Sequence, residues 1–239
     1  NYGLSSNTTG TANVAVGYKA LFANTTGQRN SALGIDALGA NTTGQYNTAV
    51  GRKALVTNTT GDSNTALGLN ALFGNTTADG NTAVGTAALE ANTTGANNTA
   101  VGYNALLVST SANNNSAFGH STLEANTTGY HNIAVGNYTL QNTTTGFKNT
   151  ACGYSALNDN TTGENNTAVG YNALDANTTG NTNTAVGYDA LGAATICNNN
   201  TAIGFQALDA IVDNQHHATA VGAYCLSNAS DGSLNSGIG

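Results

Sequence analysis

A glycine recurs at every seventeenth position along almost the whole of this chain. The glycines of the series are Gly17, Gly34, Gly51, Gly68, Gly85, Gly102, Gly119, Gly136, Gly153, Gly170, Gly187, Gly204, Gly222 and Gly239. All intervals up to Gly204 are equal, the next is longer by a single residue, and the last has the common length again. Because a fixed period is the signature of stacked repeats, the chain must build one small structural unit many times over.

The consensus repeat reads N-T-A-V-G-Y-N-A-L-x-A-N-T-T-G-x-x, and residues 166–182 match it most closely. We number its positions 1 to 17 from the first Asn, so the recurrent glycine stands at position 5. Ala at position 3, an apolar residue at position 4 and Leu at position 9 are nearly constant, whereas position 7 varies among Lys, Asp, Asn and Tyr. Constant positions indicate the interior and variable positions indicate the solvent side.

The repeat is too short for a pair of helices, which needs about 33 residues or more. Asn, Thr and Gly are poor helix formers, whereas N-T-A-V-G is compatible with a strand and N-T-T-G with a turn. The A-L pair at positions 8 and 9 supplies a second apolar layer. The sequence therefore predicts an all-β parallel β-solenoid (β-roll) of about fourteen 17-residue coils, each with two short strands and two turns. At about 4.8 Å per coil, such a stack would be a rod on the order of 65 Å long.

Asn occupies position 1 in nearly every repeat, with Ala218 as the exception. Asn side chains stacked one coil apart can form an uncharged ladder of hydrogen bonds, because an amide both donates and accepts. We expect this ladder to be structural. No linker or charge block interrupts the array, so we predict that residues 1–239 form a single solenoid domain and belong to a longer fibrous protein.

The single 18-residue interval predicts a distortion near residues 205–221. His216 and His217 lie there, near Asp209 and Asp213, and form the only local cluster of metal-ligand types. Adjacent side chains on an extended segment point apart, so a distorted or capping coil is the better interpretation.

The composition disfavours several classes of function. Charged residues make up 7% of the chain, against about 25% in an ordinary domain, so few groups are present for acid–base chemistry. A net charge of -7 with five Lys and Arg argues against nucleic-acid binding, and no apolar run approaches the length of a membrane span. The three cysteines occupy different repeat positions, which argues against a disulfide framework or a zinc site. We expect no catalytic residue, cofactor or metal.

Positions 3 and 4 are adjacent on the strand and are both apolar. Because side chains alternate along a strand, one of them must face away from the core. The predicted outward stripe at position 4 includes Val16, Leu33, Val50, Leu67, Val84, Val101, Val135, Val169 and Val186. Large exposed apolar patches usually mark interfaces, so the stripe predicts self-association into a trimer or a filament.

N-x-S/T sequons, the acceptor sites of N-glycosylation, are frequent in this chain. Those in or near the predicted turn are at Asn7, Asn24, Asn41, Asn58, Asn75, Asn92, Asn126, Asn142, Asn160 and Asn177. Others are at Asn97, Asn114, Asn137, Asn165, Asn199 and Asn228. Glycans could line one edge of the solenoid, although a turn-forming role for N-T-T-G alone is the simpler interpretation.

Two further surface columns suggest binding. The Thr pair of the N-T-T-G turn raises the hypothesis of an ice-binding surface, but adjacent residues point in different directions. Tyr or Phe is common at position 6, as at Tyr18 and Tyr103, and could stack on sugar rings or on another solenoid. A partly exposed aromatic ladder is the simpler interpretation of this column.

The segment Asn47-Thr48-Ala49-Val50-Gly51 resembles the head repeats of YadA-like trimeric autotransporter adhesins, which carry N-S-V-A-I-G-type segments. The longer unit also resembles repeats of phage and giant-virus tail fibres and of bacterial surface proteins. The resemblance implies a parallel β-roll, trimerisation and a role in adhesion or fibre building. This repeat differs in length, since the adhesin repeat is shorter, and neither a coiled-coil stalk nor a membrane anchor is evident.

Together these features predict a non-enzymatic, extracellular structural or adhesive fibre, located outside the cell or on a cell or virion surface. Its expected partners are copies of itself, and glycans or a host surface, with no nucleic acid and no membrane insertion. Two alternatives remain at this point: a glycan-coated structural fibril and an ice-binding β-solenoid.

Overall fold

The computed structural model describes residues 2–209, 216–227 and 236–239. The chain divides into two compact units, Asn1–Asn115 and Ser116–Gly239. Unit 1 contains strands β1 Val14–Val16, β2 Ser31–Leu33, β3 Thr48–Val50, β4 Thr65–Leu67, β5 Thr82–Val84 and β6 Thr99–Val101. Unit 2 contains β7 Ser116–Phe118, β8 Ile133–Val135, β9 Thr150–Cys152, β10 Thr167–Val169, β11 Thr184–Val186, β12 Thr201–Ile203, β13 Thr219–Val221 and β14 Ser236–Ile238. The described residues include no helix.

Within each unit, every strand pairs in parallel with the next strand along the chain. The pairing is in register from coil to coil, so that Ala49 lies opposite Ala66, its counterpart in the following repeat. Each repeat therefore adds one coil to a stack. The predicted parallel β-solenoid with 17-residue coils is confirmed.

The extra residue of the 18-residue interval does not break the ladder. Ala202 of β12 pairs with Ala220 of β13 across this longer interval. The backbone N–H of Ala193 donates to the Asp209 carbonyl at 3.2 Å, with the sequence separation that this bond has in other coils. The N–H of His217 donates to the Asn198 carbonyl at 3.2 Å, and here the separation in sequence is one residue longer than in other coils. The spacing of the coil-to-coil bonds is therefore the usual one at Asp209 and one residue longer at His217. Residues 210–215, including Asp213 of the suspected metal cluster, lie outside the described residues.

The core is narrow and made mainly of Ala and Leu. Ala at positions 3 and 8 and Leu at position 9 are almost completely buried. The fully buried leucines are Leu21, Leu38, Leu55, Leu72, Leu89, Leu106, Leu123, Leu140, Leu157, Leu174, Leu191 and Leu208. All of them have a left-handed backbone, with φ between 50° and 55°. That conformation costs about 1–2 kcal/mol per residue, which burial of the Leu side chain offsets at about 1.5–3 kcal/mol.

The second strand predicted for each coil is not present in the described residues. Each coil has one three-residue strand, and the A-L pair lies in a turn-like segment instead. The physical reason is that positions 7 and 9 both take positive φ, as in Asn70 and Leu72, which prevents an extended run. Coil-to-coil backbone hydrogen bonds persist without a strand, for example from the Leu21 N–H to the Ala37 carbonyl at 3.0 Å.

The predicted Asn ladder at position 1 is confirmed. Asn47 donates its backbone N–H to Asn30 Oδ1 at 2.9 Å, and its Nδ2 donates to the Gly61 carbonyl at 2.8 Å and to Asn30 Oδ1 at 3.2 Å. Each side chain therefore ties the turn of its own repeat to the position-1 Asn of the preceding repeat. The amides are buried and uncharged, so the ladder replaces the hydrogen bonds to water that these groups lose on folding.

Candidate functional site: the exposed sheet face

The side chains at positions 2, 4 and 6 point outward and form what we call the exposed sheet face of each unit. In unit 1, Val16 is 52% and Leu33 50% exposed, and Leu67 is exposed as well. The other stripe residues of this unit, Val50, Val84 and Val101, are half-buried. Because Ala at position 3 fills the core on the opposite side of each strand, the structure places the position-4 stripe outside.

Unit 2 presents the same face. Phe118, Val135, Val169 and Ile203 are exposed at position 4, and Val186 is half-buried. Thr or Ser occupies most of position 2, as in Thr150 and Thr167. The face is thus a row of apolar side chains beside a row of hydroxyl groups, repeated once per coil.

Aromatic rings at position 6 continue this face in unit 2. Tyr154, Tyr171, Tyr188 and Phe205 are stacked nearly parallel, with ring centroids 5.0–5.3 Å apart and interplanar angles of 6–9°. Both faces of the Tyr171 and Tyr188 rings are covered by their neighbours. A sugar ring therefore cannot stack on these two residues, and what remains accessible is the row of ring edges and hydroxyl groups.

Beside the sheet face runs a charged margin, formed by positions 7, 10 and 11 and by charged residues at position 6. Lys19 Nζ lies 5.5 Å from the Tyr18 ring centroid and 5.6 Å from that of Phe22. Asn70 at position 7 donates to Glu90 Oε1, at position 10 of the following coil, at 3.0 Å. Positions 6, 7 and 10 are therefore neighbours both within a coil and between coils.

Four neighbouring carboxylates lie in the margin of unit 2. Partial burial raises the pKa of Asp175 to about 6, and the negative charge of Asp189 and, to a smaller extent, that of Asp159 raise it as well. Burial and the charge of Asp189 also raise the pKa of Asp209. The neighbouring charges that raise these pKa values are all negative, so this part of unit 2 accumulates uncompensated negative charge.

The raised pKa of Asp175 predicts a pH-dependent stability. Since the folded-state pKa of about 6 exceeds the unfolded value of 3.8, ionisation destabilises the fold as the pH rises from 3.8 towards 6. After allowance for solvent screening of this half-buried group, Asp175→Asn should raise the free energy of unfolding at pH 7.5 by about 1 kcal/mol. At about pH 3.5 most of the difference should vanish, because the carboxyl is then mostly protonated in both states.

Urea unfolding followed by circular dichroism at the two pH values measures this difference. Asp62→Asn is the matched control, because Asp and Asn make the same hydrogen bond at this repeat position. Asp62 Oδ1 accepts the Gln45 N–H at 2.7 Å, and Asn181 Oδ1 accepts the Glu164 N–H at the same distance. An equal gain for both variants, or a gain for Asp175→Asn that persists in acid, would contradict the prediction.

Most of the turn sequons, which are candidate glycan acceptors, lie inside the coil. The Asn at position 12 is fully buried in the sequons at Asn24, Asn41, Asn58, Asn75, Asn92, Asn126, Asn160 and Asn177. Asn41 Nδ2 donates to Asn24 Oδ1 at 2.8 Å and to the Gly44 carbonyl at 3.0 Å, so both of its amide hydrogens are in use. A glycan on this nitrogen would remove one donor and has no room in the stack. Asn7 is half-buried, with Nδ2 donating to the Gly10 carbonyl at 2.9 Å.

The accessible sequons are those outside this second ladder. Asn142 is exposed, because Thr143 occupies position 12 in its coil. Asn97, Asn114, Asn137, Asn165 and Asn199 are also exposed. Asn228 lies outside the described residues. Sequence reasoning missed the ladder at position 12, although the small size of the residues that replace Asn there, such as Ser109 and Ala194, was a signal of burial.

The position-12 ladder is interrupted at Thr143, which predicts a stabilising substitution. Asn126 Oδ1 is buried without a hydrogen-bond partner, and Asn160 Nδ2 reaches Thr143 Oγ1 at only 3.5 Å. In Thr143→Asn the new amide should donate to Asn126 Oδ1 and to the Gly146 carbonyl, and accept from Asn160. We expect the free energy of unfolding to rise by about 1–2 kcal/mol, because a buried acceptor gains its donor.

Thermal unfolding of Thr143→Asn beside Thr145→Asn tests this gain. Thr145 is the exposed second Thr of the same turn, so the same change of residue there should alter stability by less than about 0.5 kcal/mol. A melting temperature for Thr143→Asn at or below that of the native chain would show that the ladder is not extended.

The described cysteines and histidines form neither a disulfide nor a metal site. Cys152 is exposed on the sheet face, Cys197 is buried and Cys225 is half-buried, and all three are thiols rather than halves of a disulfide. His216 Nδ1 accepts the Asn198 N–H at 3.0 Å, which is the bond that Asp62 or Asn181 makes elsewhere at position 16. His216 therefore has a structural role, and the described residues contain no group of three or more His, Cys, Asp or Glu able to hold a metal.

The described part of the chain also has no pocket in which a small molecule could be enclosed. Within residues 2–209, 216–227 and 236–239, no helix has the length and hydropathy of a membrane span. No protein-family model matches the sequence, and no curated protein matches it either. The most regular feature of the described surface is the exposed sheet face, which recurs once per coil.

Proposed function

We propose that this protein is a non-enzymatic structural fibre protein that assembles with copies of itself through the exposed sheet face. The observation that carries the proposal is the apolar side chain at position 4, which recurs once per coil on the outside of both units. A monomer would leave this stripe in water, whereas association buries it, and exposed patches of this kind usually mark an interface.

A second copy is the partner that fits this face best. The apolar side chains recur at the spacing of parallel strands, about 4.8 Å. Another stack of the same coils presents side chains at the same spacing, so that one row can pack between the side chains of the other at every coil. An ordinary globular partner has no such period. Both a closed trimer and a lateral filament satisfy this condition.

We further propose an extracellular role, on the surface of a cell or a virion, in adhesion to a glycan or host surface. The support is the resemblance of the T-A-V-G strand to adhesin head and tail-fibre repeats, together with the variable exposed residues at position 17. Arg29, Tyr46 and Ser63 occupy position 17 in successive coils, so the solenoid can present different side chains without altering its core. Surface variation on a fixed scaffold suits recognition.

The two alternative functions have less support. A glycan-coated fibril would have to use Asn142 and the other exposed sequons, because the position-12 amides are engaged in the ladder. An ice-binding face needs a flat, regular row, but position 4 alternates among Val, Leu, Phe, Cys and Ile. The first Thr of the N-T-T-G turn is also engaged, since Thr25 Oγ1 donates to the Thr42 carbonyl at 3.0 Å.

Sedimentation velocity at micromolar concentration, with electron microscopy of the same sample, tests the proposal. The native chain should sediment as a trimer or a polymer, and Val84→Lys/Val101→Lys should shift it towards monomer, because two charges interrupt the stripe. Thr60→Lys/Thr77→Lys is the control, since it places the same charges on exposed turn residues at position 14. A native chain that stays monomeric would overturn the proposal.

A further inference from the structure

The charged margins of the two units differ in sign. The margin of unit 1 carries the basic residues Lys19, Arg52 and Lys53 and the acidic residues Asp36 and Glu90. The margin of unit 2 carries the acidic residues Glu124, Asp159, Asp175, Asp189 and Asp209, and no Lys or Arg in its described part. We call Lys19, Arg52 and Lys53 the basic margin, and Asp175, Asp189 and Asp209 the acidic margin.

The margin of unit 1 keeps a net positive charge although Asp36 occupies position 7 in the coil between Lys19 and Lys53, and the acidic margin has no Lys or Arg beside it in the described part of unit 2. Lys19 lies against the rings of Tyr18 and Phe22, and Lys53 Nζ lies 5.7 Å from the Phe73 ring centroid. In the acidic margin, Asp189 adds negative charge beside both Asp175 and Asp209. Each margin therefore gains from a partner that brings the opposite charge.

Each margin lies directly beside the sheet face of its own unit. Lys19 follows Tyr18 of the sheet face, and Asp189 follows Tyr188. A partner packed on the sheet face with its stack axis antiparallel to that of the first molecule has its own margin near that of the first molecule. Two copies of unit 2 would bring carboxylates towards carboxylates, whereas unit 1 against unit 2 brings ammonium and guanidinium groups towards them.

We propose that the sheet face of unit 1 in one copy docks on the sheet face of unit 2 in a second copy, with the basic margin of the first facing the acidic margin of the second. This inference rests on the proposed self-association and adds its pairing rule: unlike units bind and like units repel. The stripe supplies the contact area, and the margins select the partner unit.

Charge reversal in the basic margin tests the pairing. Lys19→Glu/Lys53→Glu should weaken self-association at least about tenfold at low ionic strength, because attraction to the acidic margin becomes repulsion. In about 1 M salt, where the Debye length is about 3 Å, most of the difference from the native chain should disappear. Sedimentation equilibrium at the two salt concentrations gives both values.

The control is Arg29→Glu/Lys148→Glu, which makes the same change in net charge at position 17, outside the margins. It should weaken association much less than reversal of the basic margin. Equal weakening by the two double variants would mean that overall charge governs association, and would overturn the proposed pairing. An unchanged association constant in Lys19→Glu/Lys53→Glu would overturn it as well.

A rescue variant separates lost pairing from lost folding. Adding Asp175→Lys/Asp189→Lys to Lys19→Glu/Lys53→Glu exchanges the signs of the charges at these four positions and restores the net charge. Lys suits the backbone at position 7, since Lys19 and Lys53 have φ of 55° and 59° and Asp189 has φ of 54°. The association constant of the fourfold variant should lie within about threefold of the native value. The remaining loss of binding free energy is then less than half of the loss caused by Lys19→Glu/Lys53→Glu, which corresponds to about tenfold.

Failure of the pairing and failure of the proposed function give different results. If the native chain does not self-associate, the proposed fibre function fails and the pairing fails with it. If the native chain associates but the fourfold variant remains as weak as Lys19→Glu/Lys53→Glu, only the pairing of unlike units is wrong.

Discussion

Gly51→Ala is expected to destabilise unit 1 by about 3–5 kcal/mol, a large part of the stability of an ordinary domain. Gly51 has φ of 133°, a conformation that L side chains rarely adopt and that costs about 1–3 kcal/mol. A Cβ there would also overlap the carbonyl group of Gly68 in the next coil. That carbonyl cannot move aside, because the Gly68 N–H donates to the Val50 carbonyl at 2.9 Å within the stack.

Gly39→Ala is the matched control for this glycine. Gly39 is at position 10, where other coils carry Glu90 or Asp175, and the nearest atom to an added Cβ is the Asp36 carbonyl oxygen at 3.2 Å. We expect a change within about 1 kcal/mol, since the backbone there accepts a side chain. Urea unfolding of both variants measures the difference, and a Gly51→Ala chain as stable as Gly39→Ala would show that the stack tolerates a side chain at position 5.

Asn58→Asp is expected to cost about 4 kcal/mol or more at pH 7, although it replaces one atom. Asn58 Nδ2 donates to Asn41 Oδ1 at 2.8 Å and to the Gly61 carbonyl at 3.0 Å. A carboxylate would place a second oxygen against these two acceptors, in a site with no solvent exposure. The loss of two hydrogen-bond donors and the burial of a charge both lower the free energy of unfolding.

The cost of Asn58→Asp should depend on pH. Burial raises the folded-state pKa of the introduced carboxyl above its unfolded value of about 3.9. The penalty of ionisation is therefore absent below about pH 4 and grows by about 1.4 kcal/mol per pH unit until the folded-state pKa is reached. Some loss remains in acid, because a protonated carboxyl donates one hydrogen bond where the amide donated two.

Melting temperatures at pH 4 and pH 7 test this dependence. Asn113→Asp is the control, because Asn and Asp both make the hydrogen bond of this exposed position. Asn113 Oδ1 accepts the Ala96 N–H at 2.8 Å, and in another coil Asp79 Oδ1 accepts the Asp62 N–H. That variant should differ little from the native chain at either pH. An Asn58→Asp chain that melts like Asn113→Asp at pH 7 would mean that position 12 is not a ladder of neutral amides.

Much of the coil could be predicted from residue types alone. The constant Gly51 and Ala49 indicated a strand that ends at a backbone position closed to other residues, and the structure shows that strand in register with its neighbours. The Asn at position 1 was also predicted, because an uncharged side chain that both donates and accepts can pair with its copy in the next coil.

The role of position 12 could not be predicted from the sequence with equal certainty. N-T-T-G suits an exposed turn and a glycan acceptor as well as a buried ladder, because Asn has the same chemistry in all three. The structure decides by burying Asn58 and using both hydrogens of its amide. The second strand failed for a similar reason: a Leu such as Leu72 favours ordinary extended or helical backbone, and only its burial makes a left-handed φ acceptable.

The sequence by itself determined the period, the parallel register and the side of the strand that faces out, because stacking of identical coils forces each residue onto its own copy. Tertiary structure alone decided which asparagines are buried, how the aromatic rings cover one another, and that Lys19 and Asp189 each lie beside the sheet face of their own unit. These features depend on backbone φ values and on distances between coils, which an alternating pattern of polar and apolar residues does not specify.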